Sequence, residues 1–443
     1  MFQDLKPYAE YATSESPWIR RVPSHWSMPR LKSVVRERSD KGYPDEPLLA
    51  ATQSRGVIRK DQYEARTVEA TKSLETLKLV CIDDFVISLR SFQGGIERAY
   101  ARGIISPAYT ILRASEATSR GYLTLLFKSR PFIDALCLAV TGIREGQNIE
   151  YPRLARETVP LPPRDEQRAI VTYLAHAHQR VNTAITAKRR LIALHEEEAK
   201  VMIAELLTGG PHNTVRADGL RPIPQSWRYE SAARICVIST GVEDSGNADP
   251  NGAYPFYVRG REVLKSNNYL FDGEAVMTPG DGQGGTGKVF HYFDGKFQAH
   301  QRVYVLKDFE GVLGRYFFWY MSMYFREHAL SNSNTVTMES LRRPVLASFP
   351  VALPPIAEQA KVVERVESLR AQVDRLVEVA KREIALLEEF RTRLTADVVT
   401  GQVDVRAIAA TLPGLDLEAA LASAVEVDDV IRDDANDDGM EDE

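Results

Sequence analysis

The sequence predicts an α+β protein made of two β-rich globular modules and two long helices, with the helices paired as an antiparallel, coiled-coil-like spacer. Three observations predict this architecture. A segment of about 200 residues occurs twice in the 443-residue chain. Each copy ends in a long stretch with helical periodicity, and each copy contains short β-like runs broken by glycine turns.

The recurrence of one motif reveals the duplication. VPLPPRDEQRAIV at Val159–Val171 recurs as VALPPIAEQAKVV at Val351–Val363, a shift of 192 residues. The same shift carries Thr208–Gly209 onto Thr400–Gly401 without a gap. Because two copies of this length are far longer than solenoid repeats, we interpret them as duplication of a whole module.

The predicted domain order has five parts. The boundaries are a first module over residues 1–160, a central spacer helix over 161–210, a second module over 211–352, a C-terminal spacer helix over 353–402, and an acidic tail over 403–443 that we expect to be disordered.

Two segments of 44 residues, Asp165–Thr208 and Ala357–Thr400, each read as one helix. Proline pairs precede both segments, and Gly209 and Gly401 follow them, where a left-handed cap is favoured. One narrow apolar stripe runs along each segment. A helix of this length spans roughly 66 Å and cannot bury a stripe against itself, so the two stripes are expected to pack together.

Polar residues interrupt both apolar stripes. They include His178, Lys188 and His195 in the first helix and Arg370 and Arg391 in the second. They either set the register of the pair, face a partner, or are ordinary solvated positions.

Both modules carry a pair of β-like runs separated by a glycine-bearing turn and followed by an aromatic helical stretch. The runs are Phe85–Arg90 and Ala108–Arg113 in the first module and Glu274–Pro279 and Arg302–Leu306 in the second, with turns at Ser91–Gly95 and Asp281–Gly285.

The second glycine turn resembles a nucleotide-binding loop but departs from its pattern. In GDGQGGTGKVF, Gly280–Phe290, Val289 occupies the position of the metal-binding hydroxyl. A phosphate loop leads into a helix, whereas the residues after Lys288 alternate in the manner of a strand. We therefore predict a turn in a β-rich module, without ATP.

Glutamine, asparagine, arginine and lysine on loops are the residue types that contact base edges and phosphates. Similar places in both modules are rich in them, although each alone is equally explained as a solvated or turn-forming side chain. The candidates are Arg90, Gln93, Arg98, Arg102, Arg144, Gln147 and Asn148 in the first module and Gln283, Lys288, Lys296, Gln298, His300, Gln301, Arg302, Asn332 and Asn334 in the second.

Charge is compatible with a polyanionic partner without requiring one. Residues 403–443 hold 13 Asp and Glu against 2 Lys and Arg, a net charge of −11, which leaves +6 on the other 402 residues. Three cysteines without ligand or redox spacing predict a reducing cytoplasm. We find no signal segment or membrane-spanning run, so we expect a soluble protein.

The sequence contains no catalytic constellation that we can assign. Metalloprotease, nucleophile-elbow and dinucleotide motifs are absent, and His176 and His178 are spaced to face different sides of a helix. We expect a non-catalytic protein with no cofactor or metal of its own.

The paired motifs in this order resemble the specificity subunit of type I restriction–modification systems. The resemblance rests on the duplicated LPPxxEQ-to-TG helices, on modules that open with VPSHW at Val22–Trp26 and IPQSW at Ile223–Trp227, and on the segment TGIREGQNIEYPRLARETVPLPPRDEQ. It covers about Trp18 to Val405. The acidic tail is not part of the family pattern.

The resemblance implies that each module recognises one half of a bipartite double-stranded DNA target. It implies that the helices set the spacing and dock two adenine-N6 methyltransferase subunits, which bind S-adenosylmethionine. Whether ATP-dependent restriction subunits join is left open. Two alternatives remain at this point, a protein-interaction scaffold that binds no DNA and an ATP-binding protein that uses Gly282–Lys288.

Overall fold

The structure is a computed structural model that describes residues 5–53, 55–63, 73–89, 91–138, 140–141, 148–210, 220–281, 287–331 and 340–415, with the backbone alone at 138, 140, 141 and 148. The strands are β1 (Tyr11–Thr13), β2 (Arg21–Pro23), β3 (Val35–Arg38), β4 (Leu49–Ala51), β5 (Val57–Arg59), β6 (Lys78–Val80), β7 (Asp84–Ile87), β8 (Glu97–Arg98), β9 (Gly103–Ile105), β10 (Thr110–Ala114), β11 (Val140–Thr141), β12 (Asn148–Ile149), β13 (Arg228–Ser231), β14 (Val237–Thr240), β15 (Tyr254–Tyr257), β16 (Val263–Ser266), β17 (Phe271–Pro279), β18 (His291–Ala299), β19 (Val303–Lys307) and β20 (Pro350–Leu353).

The α-helices alternate with these strands, and short 3-10 turns lie at Lys60–Gln62, Leu74–Thr76 and Ser245–Asn247. The helices are α1 (Leu31–Val34), α2 (Ser91–Gly94), α3 (Arg120–Phe127), α4 (Arg130–Leu138), α5 (Tyr151–Leu154), α6 (Arg164–Thr208), α7 (Ala232–Ile235), α8 (Gly314–Ser331), α9 (Arg343–Ala347), α10 (Ile356–Val399) and α11 (Arg406–Ala409).

The chain divides into two units. The first comprises Met1–Arg189 and Lys381–Glu443, and the second comprises Arg190–Ala380. Each unit therefore holds one β-rich module together with part of α6 and part of α10. The mixture of β-rich modules and long helices confirms the predicted α+β class.

The first unit is built around a four-stranded sheet in the order β3-β10-β7-β8, with β4–β5 and β6–β9 as two-stranded pairs. Its main core joins the sheet to α3, α4 and the two long helices. Phe85, Tyr122, Phe127 and Phe132 are among its fully buried aromatic residues. Aromatic burial of this size supplies much of the hydrophobic free energy of such a module.

The second unit is built around a six-stranded sheet in the order β14-β19-β17-β18-β15-β16. The hairpin β17–β18 places Gly273 opposite Gly295, both with positive φ, where a side chain would be strained. Helix α8 packs Tyr316, Phe317 and Phe325 into the core, which confirms the aromatic helix expected there.

The long helices run antiparallel within each unit. In the first unit His178, Asn182 and Lys188 contact residues of decreasing number on α10, namely Thr395, Arg391 and Glu383. In the second unit Ala199 on α6 packs with Val373 and Val377. Both helices begin one residue before the predicted position.

One predicted turn has a different conformation. Ser91–Gly95 folds as the single helical turn α2, which ends before Gly95 at a φ of +85°. The Ser91 hydroxyl accepts a hydrogen bond from the Ser88 backbone N–H at 2.8 Å, which favours a helical start over an open turn.

Candidate nucleic-acid interface

The duplicated LPPxxEQ motif forms a joint between each module and a long helix. Gln167 donates from Nε2 to the Pro162 carbonyl at 2.9 Å, and its Oε1 accepts from the Ser119 N–H at 2.8 Å, at the start of α3. Gln359 repeats these contacts with Pro354 at 2.9 Å and Leu313 at 2.8 Å, at the start of α8. The glutamine of the motif therefore fixes the aromatic helix of each module to the long helix that follows it.

A buried tyrosine completes each joint. The Tyr122 hydroxyl lies 2.8 Å from the Pro160 carbonyl and 3.1 Å from the Val399 carbonyl. The Tyr316 hydroxyl lies 2.8 Å from the Ala352 carbonyl and 3.2 Å from the Leu207 carbonyl. Each tyrosine thus links the segment before one long helix to the carboxyl end of the other long helix.

The glycine that ends each helix also belongs to the joint. A Cβ atom on Gly401 would lie 2.4 Å from Cδ of Pro23, and a Cβ on Gly209 would lie 2.5 Å from Cγ of Pro224. Both glycines have φ near +75°, at +74° and +78°, so the conformation and the close approach both favour glycine. The carboxyl end of α10 therefore packs against the VPSHW motif, and the carboxyl end of α6 packs against the IPQSW motif.

Two loops lie side by side in the first unit and carry glutamine side chains. Gln93 on α2 is exposed, and its Oε1 accepts from Nε2 of Gln53 at 3.5 Å. Gln53 lies in the connection between β4 and β5. Among the predicted residues of this module, Gln93 is exposed and lies in a cluster of polar loops.

The other predicted residues of the first module have different surroundings. Arg98 is 5% exposed and pairs with Asp83 at 2.5 Å, and exposed Arg102 pairs with Glu46 at 2.8 Å. Asn148 lies in β12, where only its backbone is described. Arg90, Arg144 and Gln147 lie outside the described residues.

A loop cluster in the second unit brings predicted Arg302 to Asp281 and predicted Gln301 to Asp244. Arg302 pairs with Asp281 at 2.7 Å, and Arg259 lies 3.9 Å from the same carboxylate. Exposed Gln301 donates to Asp244 at 3.3 Å. Exposed Lys288 precedes strand β18, not the helix that a phosphate loop requires. Residues 282–286 of the predicted glycine turn lie outside the described residues. The cluster therefore combines two guanidinium groups with two carboxylates, Asp281 and Asp244.

Two predicted residues of the second module are buried beneath the loop cluster. Gln298 and His300 are 3% and 4% exposed. The His300 Nδ1 accepts from the Arg302 N–H at 3.0 Å, and burial, followed by the charge of Arg259, lowers the pKa of His300. A neutral imidazole that orients the backbone of Arg302 is the role that this geometry supports.

The remaining predicted residues of the second module lie apart from the cluster or outside the described chain. Lys296 lies over the ring of Tyr269, with Nζ 4.6 Å from the ring centroid. Gln283, Asn332 and Asn334 lie outside the described residues.

Sequence reasoning did not single out Gln53 or Arg259. Both lie far along the chain from the residues that they approach, Gln93 and Asp281. The only local signal for Gln53 is the glycine three residues later, Gly56, which has a φ of +72° and closes the turn.

Comparison with known proteins gives one consistent result. The model of the type I restriction modification DNA specificity domain matches residues 233–388. The EcoDI type I restriction enzyme specificity subunit of Escherichia coli is 26% identical over 181 residues, which are 41% of this chain and 39% of that protein. The putative MjaX specificity subunit of Methanocaldococcus jannaschii is 21% identical over 426 residues, 88% of this chain and 96% of that protein.

The chain is therefore similar in sequence to type I restriction–modification specificity subunits, and the match to the specificity-domain model covers residues 233–388. A solved chain from a study of complex assembly and conformational transition in a type I restriction–modification system superposes with a TM-score of 0.67 at 16% identity. The superposition covers 86% of this chain and 99% of the solved chain, and it supports similarity of fold only. The aligned stretch spans about two fifths of the length of the E. coli relative.

The two joints differ in one respect. Glu166 is 4% exposed, and its carboxylate accepts hydrogen bonds from Trp26 Nε1 at 3.0 Å and from the Tyr8 hydroxyl. The His25 Nε2 atom lies 2.8 Å from the same carboxylate. Trp227, the counterpart of Trp26, has a buried Nε1 that makes no hydrogen bond to the part of the chain that the structure describes. The duplicated motif therefore keeps its glutamine and tyrosine contacts in both units, while the contacts of the tryptophan differ.

The described residues provide no metal site, and no described helix has the length and apolar character needed to cross a membrane. Among those residues, no group of three or more His, Cys, Asp and Glu is placed to hold a metal ion. The helix finding follows from the hydropathy of the described segments.

Proposed function

We propose that the chain selects the DNA sequence for a type I restriction–modification complex. Each module reads one half of a bipartite double-stranded target, and α6 and α10 set the spacing between the halves. The methyltransferase partners, which bind S-adenosylmethionine, carry out adenine-N6 methylation, so this chain itself is non-catalytic. The similarity to type I specificity subunits and the specificity-domain match over residues 233–388 support this proposal.

The observation that carries the proposal is the repetition of one joint in both units. Gln167 with Tyr122 and Gln359 with Tyr316 make matching contacts, so both modules are attached to the helices in the same way. Two equivalently anchored modules with different loops suit a split target with two different halves.

Exposed apolar side chains on the helices support docking of two methyltransferase subunits. Leu194 and Leu386 are related by the 192-residue shift, and each is 58% exposed. Isolated exposed leucines are ordinary, but the same exposure at equivalent positions of both helices favours two matching contacts. Restriction subunits would join through the methyltransferases in this proposal.

Salt-dependent DNA binding of the complex assembled with its methyltransferase partner tests the proposal. Phosphate contacts make the logarithm of the binding constant fall linearly with the logarithm of salt concentration, with a slope of about −0.9 for each phosphate neutralised. We expect a steep negative slope on duplex DNA and tighter binding to one class of sequences. A scaffold without DNA recognition would give no sequence preference and no saturable binding.

A further inference from the structure

The first unit contains two neighbouring loops whose glutamine amides touch. Gln53, half-buried between β4 and β5, donates from Nε2 to Oε1 of exposed Gln93 on α2 at 3.5 Å. A primary amide offers one acceptor and two donors. Two amides in contact orient each other and present a fixed order of donors and acceptors at one place.

One lysine side chain bonds to the backbone of both loops. The Lys128 ammonium donates to the Gln53 carbonyl at 2.8 Å and to the Gly94 carbonyl at 3.0 Å. It also pairs with Glu97, whose side chain is 3% exposed. Three directed bonds use all three ammonium protons, so Lys128 fixes the distance between the loops.

Each loop is also internally restrained. The Thr52 hydroxyl donates to the Gly56 carbonyl at 2.9 Å and accepts from the Arg55 N–H at 2.8 Å. Gly94 lies so close that a Cβ atom on it would come within 3.3 Å of Cγ of Gln53. The backbone that carries the two glutamines is therefore preorganised, which lowers the conformational entropy lost on binding.

We infer that Gln53 and Gln93 together read an adenine in the major groove of the half-site recognised by the first module, and that Lys128 is their positioning residue. This inference rests on the proposed function. A glutamine amide matches the N6 donor and N7 acceptor of adenine, and the neighbouring amide holds the reading amide in that orientation. The contact requires both loops, which explains why a buried ion pair is placed beneath them.

Methylation mapping tests the inference. The full chain is co-expressed with its methyltransferase partner on a plasmid library of randomised sequence, and methylated adenines are mapped by sequencing. We expect Gln53→Ala and Gln93→Ala to relax the same base position of the same half-site by about 10- to 100-fold. Gln62→Ala removes an exposed glutamine at the opposite end of the β4–β5 hairpin and should leave both half-sites unchanged.

The positioning role of Lys128 has a separate readout. Lys128→Met combined with Glu97→Gln removes the ion pair without leaving a buried unpaired charge. We expect this double variant to relax the same position as Gln53→Ala while the other half-site stays intact. Gly94→Ala, which brings a methyl group against Gln53, should act in the same direction without removing a polar group.

Retention of the wild-type motif in Gln53→Ala would overturn the inference. Relaxation at different positions by Gln53→Ala and Gln93→Ala would also overturn it, because the two amides would then act apart. If the wild-type complex binds DNA without any sequence preference, the proposed function itself fails, and that result is distinguishable before any variant is made.

Discussion

His178 is a buried polar residue between the long helices of the first unit. It is 8% exposed, and its Nε2 lies 2.8 Å from Oγ1 of Thr395, which itself donates to the Arg391 carbonyl at 2.8 Å. Because the Thr395 hydroxyl donates its proton to the Arg391 carbonyl, it accepts from His178, and Nε2 of His178 is the donor. His178 therefore makes a buried polar contact between α6 and α10.

Burial of His178 predicts that acid destabilises the first unit. Burial, with a smaller effect of Arg391, lowers the pKa of His178 to about 4. The unfolded imidazole has a pKa of about 6.5, so below that pH the unfolded state binds the proton and the folded state does not. The stabilisation is present above pH 6.5 and falls as the pH drops toward 4, by about 2 kcal/mol at pH 5.

Denaturant unfolding at pH 7.5 and pH 5 measures this effect. His178→Leu lacks the titrating group and serves as the matched control. The wild type should lose about 2 kcal/mol more unfolding free energy than His178→Leu between the two pH values. An equal loss in both proteins would show that His178 does not titrate in the way its burial requires.

The buried tyrosines of the two joints give a second test at the residue scale. Tyr122→Phe and Tyr316→Phe each remove a hydroxyl that lies between two carbonyl groups of different elements. We expect each change to lower the free energy of unfolding by about 1–2 kcal/mol, because buried carbonyl groups lose their donor. Tyr43→Phe, at a site that is 40% exposed, is the control, and an equally small effect at all three sites would refute the role of the joint tyrosines.

The burial of individual polar side chains could not be predicted from the sequence. Arg98, Gln298 and His300 belong to residue types that are usually exposed, yet each is no more than 5% exposed. Gln53 was overlooked because its neighbour Gln93 is 40 positions away. Base contacts by the predicted residues remain predictions.

The long helices were predictable because their signals are local. Apolar spacing, proline before the start and glycine after the end give helix bounds within one residue of those observed, Arg164–Thr208 and Ile356–Val399. The turn predicted at Ser91–Gly95 is a helical turn because the Ser91 hydroxyl bonds to the backbone, a contact that glycine content does not reveal.

The helix surfaces give a test at the scale of elements. Leu194→Glu and Leu386→Glu place a charge at equivalent exposed positions, so we expect each change to remove one of the two proposed methyltransferase subunits. Mass photometry of the complex measures the number bound, and the double variant should bind none. Val242→Glu, at a site 67% exposed in the second module, is the control, and full assembly of the double variant would exclude these positions from the docking contact.

At the scale of the whole molecule, the internal repeat is more informative than any single motif. The shift of 192 residues that aligns the LPPxxEQ segments also aligns the Gln167 and Gln359 contacts with their prolines. The repeat was visible in the sequence because the joint needs the same residues in both copies. The loops of the modules were not predictable to the same degree, because their conformation depends on side-chain contacts within each module.

Mapping the adenines methylated by the complex of the wild-type chain with its proposed methyltransferase partner tests the central claim most directly. Two anchored modules that each read half of a target predict a motif of two short specified elements separated by a fixed number of unspecified base pairs. A single contiguous element, or methylation without any sequence preference, would contradict this account.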